Sequence, residues 1–195
     1  MAPARNEGRC GCRRQRIRRH VVDAVLAAPV ETLIFMNLHA ADLNDEALYS
    51  KSSRLAGCAS RIVLEVTERS SLDRVADVKG RAQALRALGF KLAIDDLGAG
   101  YAGLSSFSQL EPDIAKLDMS LVRDIDNSPQ KQRIVRSMLD VCSKELGVAV
   151  ICEGVETIAE RDVLDKLGSE TQQGYLFGRP SDGFTVPRWS EAATP

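Results

Sequence analysis

The sequence predicts an α/β protein folded as a TIM-like (β/α) barrel that is incomplete on its N-terminal side, with about six of eight strands. Short apolar runs alternate with segments of helical periodicity, which is the βα repeat of a parallel sheet. Polar or charged residues that could form a site lie in or directly after each of six such runs. Sites spread over many strand ends are typical of a barrel, whereas a doubly wound sheet collects its site at one switch point.

The strands are predicted from runs of β-branched and aliphatic residues bounded by polar or glycine residues. The predicted strands are 32–38, 61–66, 91–94, 114–117, 148–152 and 171–177. Because these runs alternate with helical segments, we expect a parallel sheet with helices outside.

The helices are predicted from their end signals and apolar faces. A helix ends over 21–27, a second covers about 72–88 before Gly89, and a short one lies near 104–110. Ser128 and Pro129 are a cap and a first helical residue, and Ile134, Met138, Val141 and Cys142 are the predicted buried face of that helix. Thr157 and Glu160 form a capping-box pattern for a helix that ends at Gly168.

Composition indicates one globular domain. The chain has 195 residues, 44% hydrophobic content and a net charge of −1, which gives no electrostatic case for a nucleic acid polymer or an anionic membrane. No apolar run is long enough for a membrane segment, and no secretory signal follows the start, so we expect a cytoplasmic protein. Five scattered cysteines favour free thiols over a disulfide framework.

The first residues differ from the rest of the chain. Residues 1–20 hold seven arginines and few apolar residues. An RNA-binding or membrane-binding arm is one interpretation, but no aromatic or amphipathic pattern supports it. We therefore predict a basic, disordered extension over 1–15, or sequence from a shifted or late start, followed by the partial barrel domain over 16–195.

The most informative stretch carries two adjacent carboxylates into a glycine-rich loop. Asp95 and Asp96 end the apolar strand 91–94 and precede Gly98 and Gly100. Neighbouring residues of a regular strand point to opposite faces, but at a strand end both carboxylates can reach one site. Paired hard oxygen ligands suit Mg²⁺ or Mn²⁺ and a phosphate substrate. The alternative is that Asp95 caps the loop and Asp96 faces water.

Six stretches together resemble the EAL domain family, bacterial phosphodiesterases that hydrolyse the second messenger cyclic di-GMP. They are LEVTE at 64–68, IDDLGAGYAGLSS at 94–106, PDIAKLD at 112–118, CEGVET at 152–157, QGYLFGRP at 173–180, and the asparagine-bearing strand Phe35-Met36-Asn37-Leu38. The resemblance covers about residues 16–180 in the family's order, with one βα unit between motifs.

The resemblance implies a role for each matching residue. The implied ligands of a two-metal Mg²⁺ or Mn²⁺ site are Asn37, Glu65, Asp95, Asp96 and Glu153. The implied catalytic residues are Asp96 and Lys116, which serve the attacking water, Gln173 near the metal and water shell, and Glu68, which holds a loop of the site. Asp118 and Glu156 match positions that support the site and bind the substrate.

The resemblance also implies the function and its context. The implied reaction is hydrolysis of cyclic di-GMP to linear pGpG by metal-assisted attack of water. The family's Glu-Ala-Leu strand, which supplies one more metal ligand, has no counterpart in residues 1–31. The alternatives are therefore an inactive EAL-like module that binds cyclic di-GMP or a protein partner, and an unstable remnant with exposed sheet edges. A homodimer through the loop 97–106 and an upstream sensory or GGDEF domain are the further partners that the family suggests.

Two single residues have structural alternatives. His39 follows the asparagine-bearing strand, where a lone histidine is more often a structural group than a ligand. Lys116 is the one cation in the set, and alone it would be interpreted as a strand-end salt bridge to Asp118 or another carboxylate. Within the set of matching motifs we favour a role at the site.

Overall fold

The computed structural model describes residues 7–67, 72, 75–99, 103–181 and 183–184, and only the backbone at 7–13, 103 and 104. The strands are β1 (Ile34–Asn37), β2 (Ile62–Thr67), β3 (Lys91–Leu97), β4 (Ile114–Leu117), β5 (Ala149–Cys152) and β6 (Thr171–Gln172). The α-helices are α1 (Glu7–Ala27), α2 (Val78–Ala87), α3 (Gly103–Leu110), α4 (Met119–Val122), α5 (Pro129–Leu139) and α6 (Ile158–Leu167). A π-helical turn extends α5 over Asp140–Glu145, and short 3₁₀ turns connect β1 to β2.

The six strands form one sheet in the order of the chain, and every described neighbouring pair is parallel. Helices lie in each connection from β2 onward, as a parallel sheet requires. The prediction of an incomplete (β/α) barrel with six strands is confirmed. Among the described strands, β1 and β6 are the two edges of the sheet.

The sheet is curled, so that one face encloses a small interior. Lys116 on β4 contacts Glu65 on β2, and its ammonium lies 5.8 Å from the ring centre of Phe35 on β1. In a flat sheet, β1 and β4 would be about 14 Å apart. Curling directs side chains from several strands to one place at their carboxyl ends.

The core has an inner and an outer layer. The inner cluster takes one residue from each of four strands: Val63, Ala93, Ile114 and Ile151. The other strand face packs against the helices in two larger clusters. Val22 and Val25 of α1 and Leu85 of α2 join the first, and Leu139 of α5 and Leu164 of α6 join the second. Burial on both faces explains the continuous apolar runs of the sequence.

The helix end signals were predicted correctly in two cases. Ser128 accepts a hydrogen bond from the amide of Lys131 and caps α5, with Pro129 as its first residue. Thr157 and Glu160 form the predicted capping box, and α6 ends at Gly168. No helix of the described residues combines the length and the apolar character that a membrane crossing requires.

Three predicted elements differ from the structure. Strand pairing of β6 ends at Gln172 rather than at 177, because the amides of Val155 and Leu176 link the following turn to the segment after β5. Helix α2 begins at Val78 rather than at 72, since the left-handed residue Asp77 caps it. The buried face of α5 consists of Val135, Leu139 and Cys142; the prediction was wrong for Ile134 and Val141, which are 40% and 51% exposed.

The basic N-terminal segment continues into the first helix. Residues 7–15 lie in the first part of α1, whereas residues 1–6 are outside the described range; the division into an extension over 1–15 and a domain over 16–195 stays a prediction. Arg14 pairs with Asp42, and Arg18 lies 2.8 Å from Asp45. These ion pairs tie the helix to the turn after β1, a tertiary contact that composition does not show.

A pair of glycines tests how tightly the strand-end loops are packed. Gly154 and Gly147 both have positive φ, at +76° and +66°. A Cβ at Gly154 would overlap the side chain of Met119 and lie 3.2 Å from its Cα, whereas nothing lies within 4 Å of one at Gly147. We expect Gly147→Ala to lower the free energy of unfolding by about 1–2 kcal/mol from backbone strain alone, and Gly154→Ala to cost clearly more. Urea unfolding measures both, and equal losses would contradict the packing argument.

Candidate metal and phosphodiester site

A β-bulge brings the adjacent aspartates to one site. Ile94 pairs with Ala115 and Leu97 with Leu117, so two residues of β3, Asp95 and Asp96, oppose one residue of β4. Asp96 has a φ of +60°, a left-handed conformation that Asp tolerates better than most residues. The strand does not end at Ile94, as the sequence suggested, but continues to Leu97. The bulge, rather than a strand end, therefore allows the side chains of Asp95 and Asp96 to reach the same site.

Lys116 occupies the position opposite the bulge and gathers carboxylates from three strands. Its ammonium lies 2.5 Å from Glu65 Oε1, 2.7 Å from Glu153 Oε1 and 3.3 Å from Asp95 Oδ1. The Lys116 and Glu65 side chains are each only 7% exposed. Lys116 therefore does form salt bridges, as the structural alternative predicted, and its partners are these three carboxylates rather than Asp118. Asp118 instead caps α4 by accepting from the amide of Ser120.

Burial and neighbouring charges shift the pKa values of Glu65, Glu153 and Lys116 in opposite directions. Burial raises the pKa of the Glu65 and Glu153 carboxyls, and the Lys116 ammonium limits both shifts. Burial alone would lower the pKa of Lys116, but the carboxylates of Glu153 and Glu65 outweigh it and raise that pKa above its ordinary value. Lys116 is therefore a permanent cation that keeps several acids close together.

Three carboxylates beside this cation form a possible metal centre. Asp95, Asp96 and Glu153 each offer one oxygen, and these atoms lie within 4.8 Å of one another. Asp95 Oδ1 is buried, and the Lys116 ammonium lies 3.3 Å from it. Three carboxylate oxygens this close together are hard ligands that suit Mg²⁺ or Mn²⁺, so the residues fit the predicted metal.

The two remaining predicted ligands lie beside this cluster. Asn37 on β1 is the register partner of Glu65 on β2, so both stand at the same level of the sheet. Asn37 is exposed, while Glu65 is directed to Lys116. Their role as ligands stays a prediction.

The predicted substrate-binding residues converge on one cavity of about 270 Å³, here called the acidic cavity. Its lining consists of Asp96, Asp118, Met119, Glu153, Gly154, Glu156, Gln173, Gly174 and Tyr175. A larger cavity of about 540 Å³ lies at the amino ends of β5 and β6, and none of the predicted site residues lines it. The acidic cavity thus adjoins the carboxylate cluster at the carboxyl ends of the strands.

Glu156 and Gln173 differ in their surroundings. Glu156 is paired with Arg123, with 2.5 Å between Arg123 Nη2 and Glu156 Oε1, and this guanidinium holds the pKa of the Glu156 carboxyl below its usual range. The backbone of Gln173 bonds to Cys152 and Val155, which leaves its exposed side chain at the cavity. Glu68 and residues 100–102 of the predicted 97–106 loop lie outside the described residues.

A Glu-Ala-Leu tripeptide does occur in the chain, but it does not lie at the end of a strand. Glu46-Ala47-Leu48 lies in a 3₁₀ turn between β1 and β2, and the Glu46 side chain is 82% exposed and pairs with Arg81 at 3.3 Å. Its carboxylate is not part of the cluster. His39 has the structural role expected for it, since its Nδ1 accepts from the amide of Ala41.

Three residues near the site were missed in the sequence. Phe35 lies near the Lys116 ammonium, and its spacing of two from Asn37 on one strand was an available signal. Arg123 pairs with Glu156 across 33 positions, and no local pattern indicates that contact. Glu160 was identified only as a capping residue, whereas its carboxylate also accepts from the amide of Asp124.

The sequence of this chain is similar to one protein family and to individual members of that family. The sequence profile of the EAL domain matches residues 14–180. The chain is 31% identical over 160 residues to "Cyclic di-GMP phosphodiesterase PdeR" of Escherichia coli K12, covering 80% of this chain and 24% of the relative. It is 38% identical over 119 residues to "Probable cyclic di-GMP phosphodiesterase PdeA" of the same organism, covering 61% of this chain and 16% of the relative.

A solved structure shares the fold. The complex of Klebsiella pneumoniae BlrP1 with manganese and cyclic di-GMP at pH 6 superimposes with a TM-score of 0.80 and 32% identity, over 95% of this chain and 49% of the other. The chain thus spans about half of that protein and a quarter or less of the two relatives. Because the family profile matches most of the sequence, this chain belongs to the EAL domain family.

Proposed function

We propose that this chain is a phosphodiesterase domain that hydrolyses cyclic di-GMP to linear pGpG with the help of Mg²⁺ or Mn²⁺. The observation that carries the proposal is the cluster of Asp95, Asp96 and Glu153 beside the Lys116 ammonium. The names of the relatives and the ligands in the BlrP1 complex support the same substrate and metal.

Each part of the site has a distinct task in this proposal. Asp95, Asp96 and Glu153 would hold the cations, with Glu65 and Asn37 as further ligands. Metal ions bound there would supply Lewis-acid stabilisation of charge on the phosphodiester oxygens and a more acidic water. Lys116 remains protonated and orients the attacking water, Gln173 contacts the same region from the exposed side, and Asp118 and Glu156 position the nucleotide in the acidic cavity. Glu68 would hold a loop of the site.

A second candidate function is a non-catalytic module that binds cyclic di-GMP or a protein partner. The favouring observation is that Lys116 already neutralises Glu65, Asp95 and Glu153 in part. The exposed Glu46 of the Glu-Ala-Leu tripeptide adds no carboxylate to the cluster. A charge-compensated site with one ligand fewer can retain nucleotide without cleaving it.

Hydrolysis tests the two functions directly. We expect purified chain with Mn²⁺ to convert cyclic di-GMP to the linear dinucleotide, and Glu153→Ala to slow this by about 100-fold or more, since even outer-shell partners of metals contribute roughly 10–100-fold. Glu145→Ala, an exposed glutamate of the π-helical turn, is the matched control and should keep full activity. Folded wild-type protein that binds the nucleotide without cleaving it would favour the second function.

Removal of the central cation tests the electrostatic account without measuring activity. In metal-free buffer we expect Lys116→Met to lower the free energy of unfolding by about 3–5 kcal/mol, because buried carboxylates lose their partner. Added Mn²⁺ should stabilise this variant more than the wild type. Lys144→Met removes an exposed pair with Asp140 and should change stability by about 1 kcal/mol or less. Equal losses in the two variants, measured by urea unfolding, would contradict the account.

We also propose the family context: a cytoplasmic protein, a homodimer through the segment 97–106, and an upstream sensory or GGDEF domain. Light scattering over a concentration series tests the dimer. We expect the mass to rise from one to two chains as the concentration increases, since the contact is formed between identical surfaces. A constant mass of one chain would contradict the dimer and leave the hydrolysis proposal untouched.

A further inference from the structure

The carboxylate of Glu160 binds backbone from two separate parts of the chain. Its side chain lies at the start of α6, and the residue is only 2% exposed. Oε2 accepts from the amides of Glu156 and Thr157 at 2.9 and 3.0 Å. Oε1 accepts from the amide of Asp124 at 3.0 Å. One buried carboxylate therefore satisfies three amides.

Helix capping explains only part of this arrangement. A capping box requires the Thr157 hydroxyl to accept from the amide of Glu160, and the Glu160 carboxylate to accept from the amide of Thr157; both bonds are present. The bond to Asp124 reaches 36 positions along the chain. Asp124 is itself in a left-handed conformation with a φ of +55°, so its amide is presented at some conformational cost.

The two segments held by Glu160 both contribute residues to the lining of the acidic cavity. One segment follows β4 and includes Asp118 and Met119, and its backbone continues through α4 to Asp124. The other segment follows β5 and includes Glu153 and Glu156. Arg123, next to Asp124, forms a second link through its side chain to Glu156, but this link is far more exposed than Glu160.

We propose that Glu160 is a positioning residue that fixes the arrangement of the acidic cavity's lining by clamping the segment after β4 to the segment after β5. The proposal rests on the proposed function, since the clamped segment after β5 carries Glu153 of the candidate metal centre. Small displacements of a ligand have large consequences for binding and catalysis. Glu160 acts through the backbone and touches neither metal nor nucleotide.

The clamp requires a carboxylate rather than an amide. Three donors converge on two oxygen atoms, and these bonds hold the pKa of Glu160 below its usual value although burial alone would raise it. Glutamine offers one oxygen and an NH₂ group that would face an amide donor. Glu160→Gln therefore keeps the size of the side chain but loses one side of the clamp.

Amide hydrogen exchange of the full chain tests the clamp, with Thr157→Ala as the matched control. Thr157→Ala removes the capping hydroxyl bonded to the amide of Glu160 but leaves the carboxylate bonds to Asp124 and Glu156. Because glutamine keeps one acceptor oxygen, we expect Glu160→Gln to speed exchange by about 10-fold or more on the side that loses its oxygen, at the amide of Asp124 or at that of Glu156. Thr157→Ala should speed exchange only in the first turn of α6. Unchanged exchange at both Asp124 and Glu156 in Glu160→Gln would overturn the proposal.

Calorimetric titration with Mn²⁺ shows whether the clamp serves the site. We expect Glu160→Gln to weaken Mn²⁺ binding by about 10-fold, as outer-shell changes at metal sites do, and Thr157→Ala to leave it within about 2-fold. Faster exchange with unchanged Mn²⁺ affinity would overturn the positioning role and leave Glu160 a structural link between the two segments.

Two further results separate the clamp from the proposed function. If the wild-type chain binds no Mn²⁺, the proposed function fails, while the exchange pattern still decides whether Glu160 clamps the two segments. If Glu160→Gln does not fold, Glu160→Asp replaces it, because the shorter side chain keeps the charge but cannot span both segments. Slow exchange at both Asp124 and Glu156 in Glu160→Asp would then overturn the proposal.

Discussion

The ion group around Lys116 is the constraint on which the site depends. Parallel strands bring their carboxyl ends together, and here those ends carry Glu65, Asp95 and Glu153 in a region with little solvent. Several buried carboxylates at close range repel one another and lose hydration. One ammonium that contacts all three offsets both costs and fixes the relative positions of three strands. A site able to bind cations can therefore be assembled before any cation is present.

The bulge in β3 solves a second problem, which is local. A regular strand would direct Asp95 and Asp96 to opposite faces, and one of them would enter the apolar layer between sheet and helices. The inserted residue, with Asp96 at positive φ, turns both to the interior side. Bulges often re-aim side chains next to active sites, and the conformational cost here is borne by a residue type that tolerates it.

The loops after β4 and β5 are held together both by close packing at a glycine and by charged side chains. Gly154 lies so close to Met119 that no Cβ fits between them, and Glu160 and Arg123 bridge the same two loops with charged groups. Glu156 and Glu160 stand four residues apart yet differ in role: one is an exposed carboxylate at the cavity, and the other is buried and bound to amides. These contacts hold the two loops that line the acidic cavity against each other.

The sequence by itself determined the βα order, five of the six strands to within a few residues, and the residues that meet at the strand ends. Those features depend on local periodicity, end signals and motif spacing, which involve residues that are close together in the sequence. Only the tertiary structure decided that Lys116 pairs with three carboxylates rather than with Asp118, that the pair Asp95–Asp96 uses a bulge, and that Glu160 reaches Asp124. It also decided which face of α5 is buried and that Arg14 and Arg18 of α1 have acidic partners. Each of these depends on groups far apart in sequence, whose distances are set by the curl of the sheet and the packing of the helices.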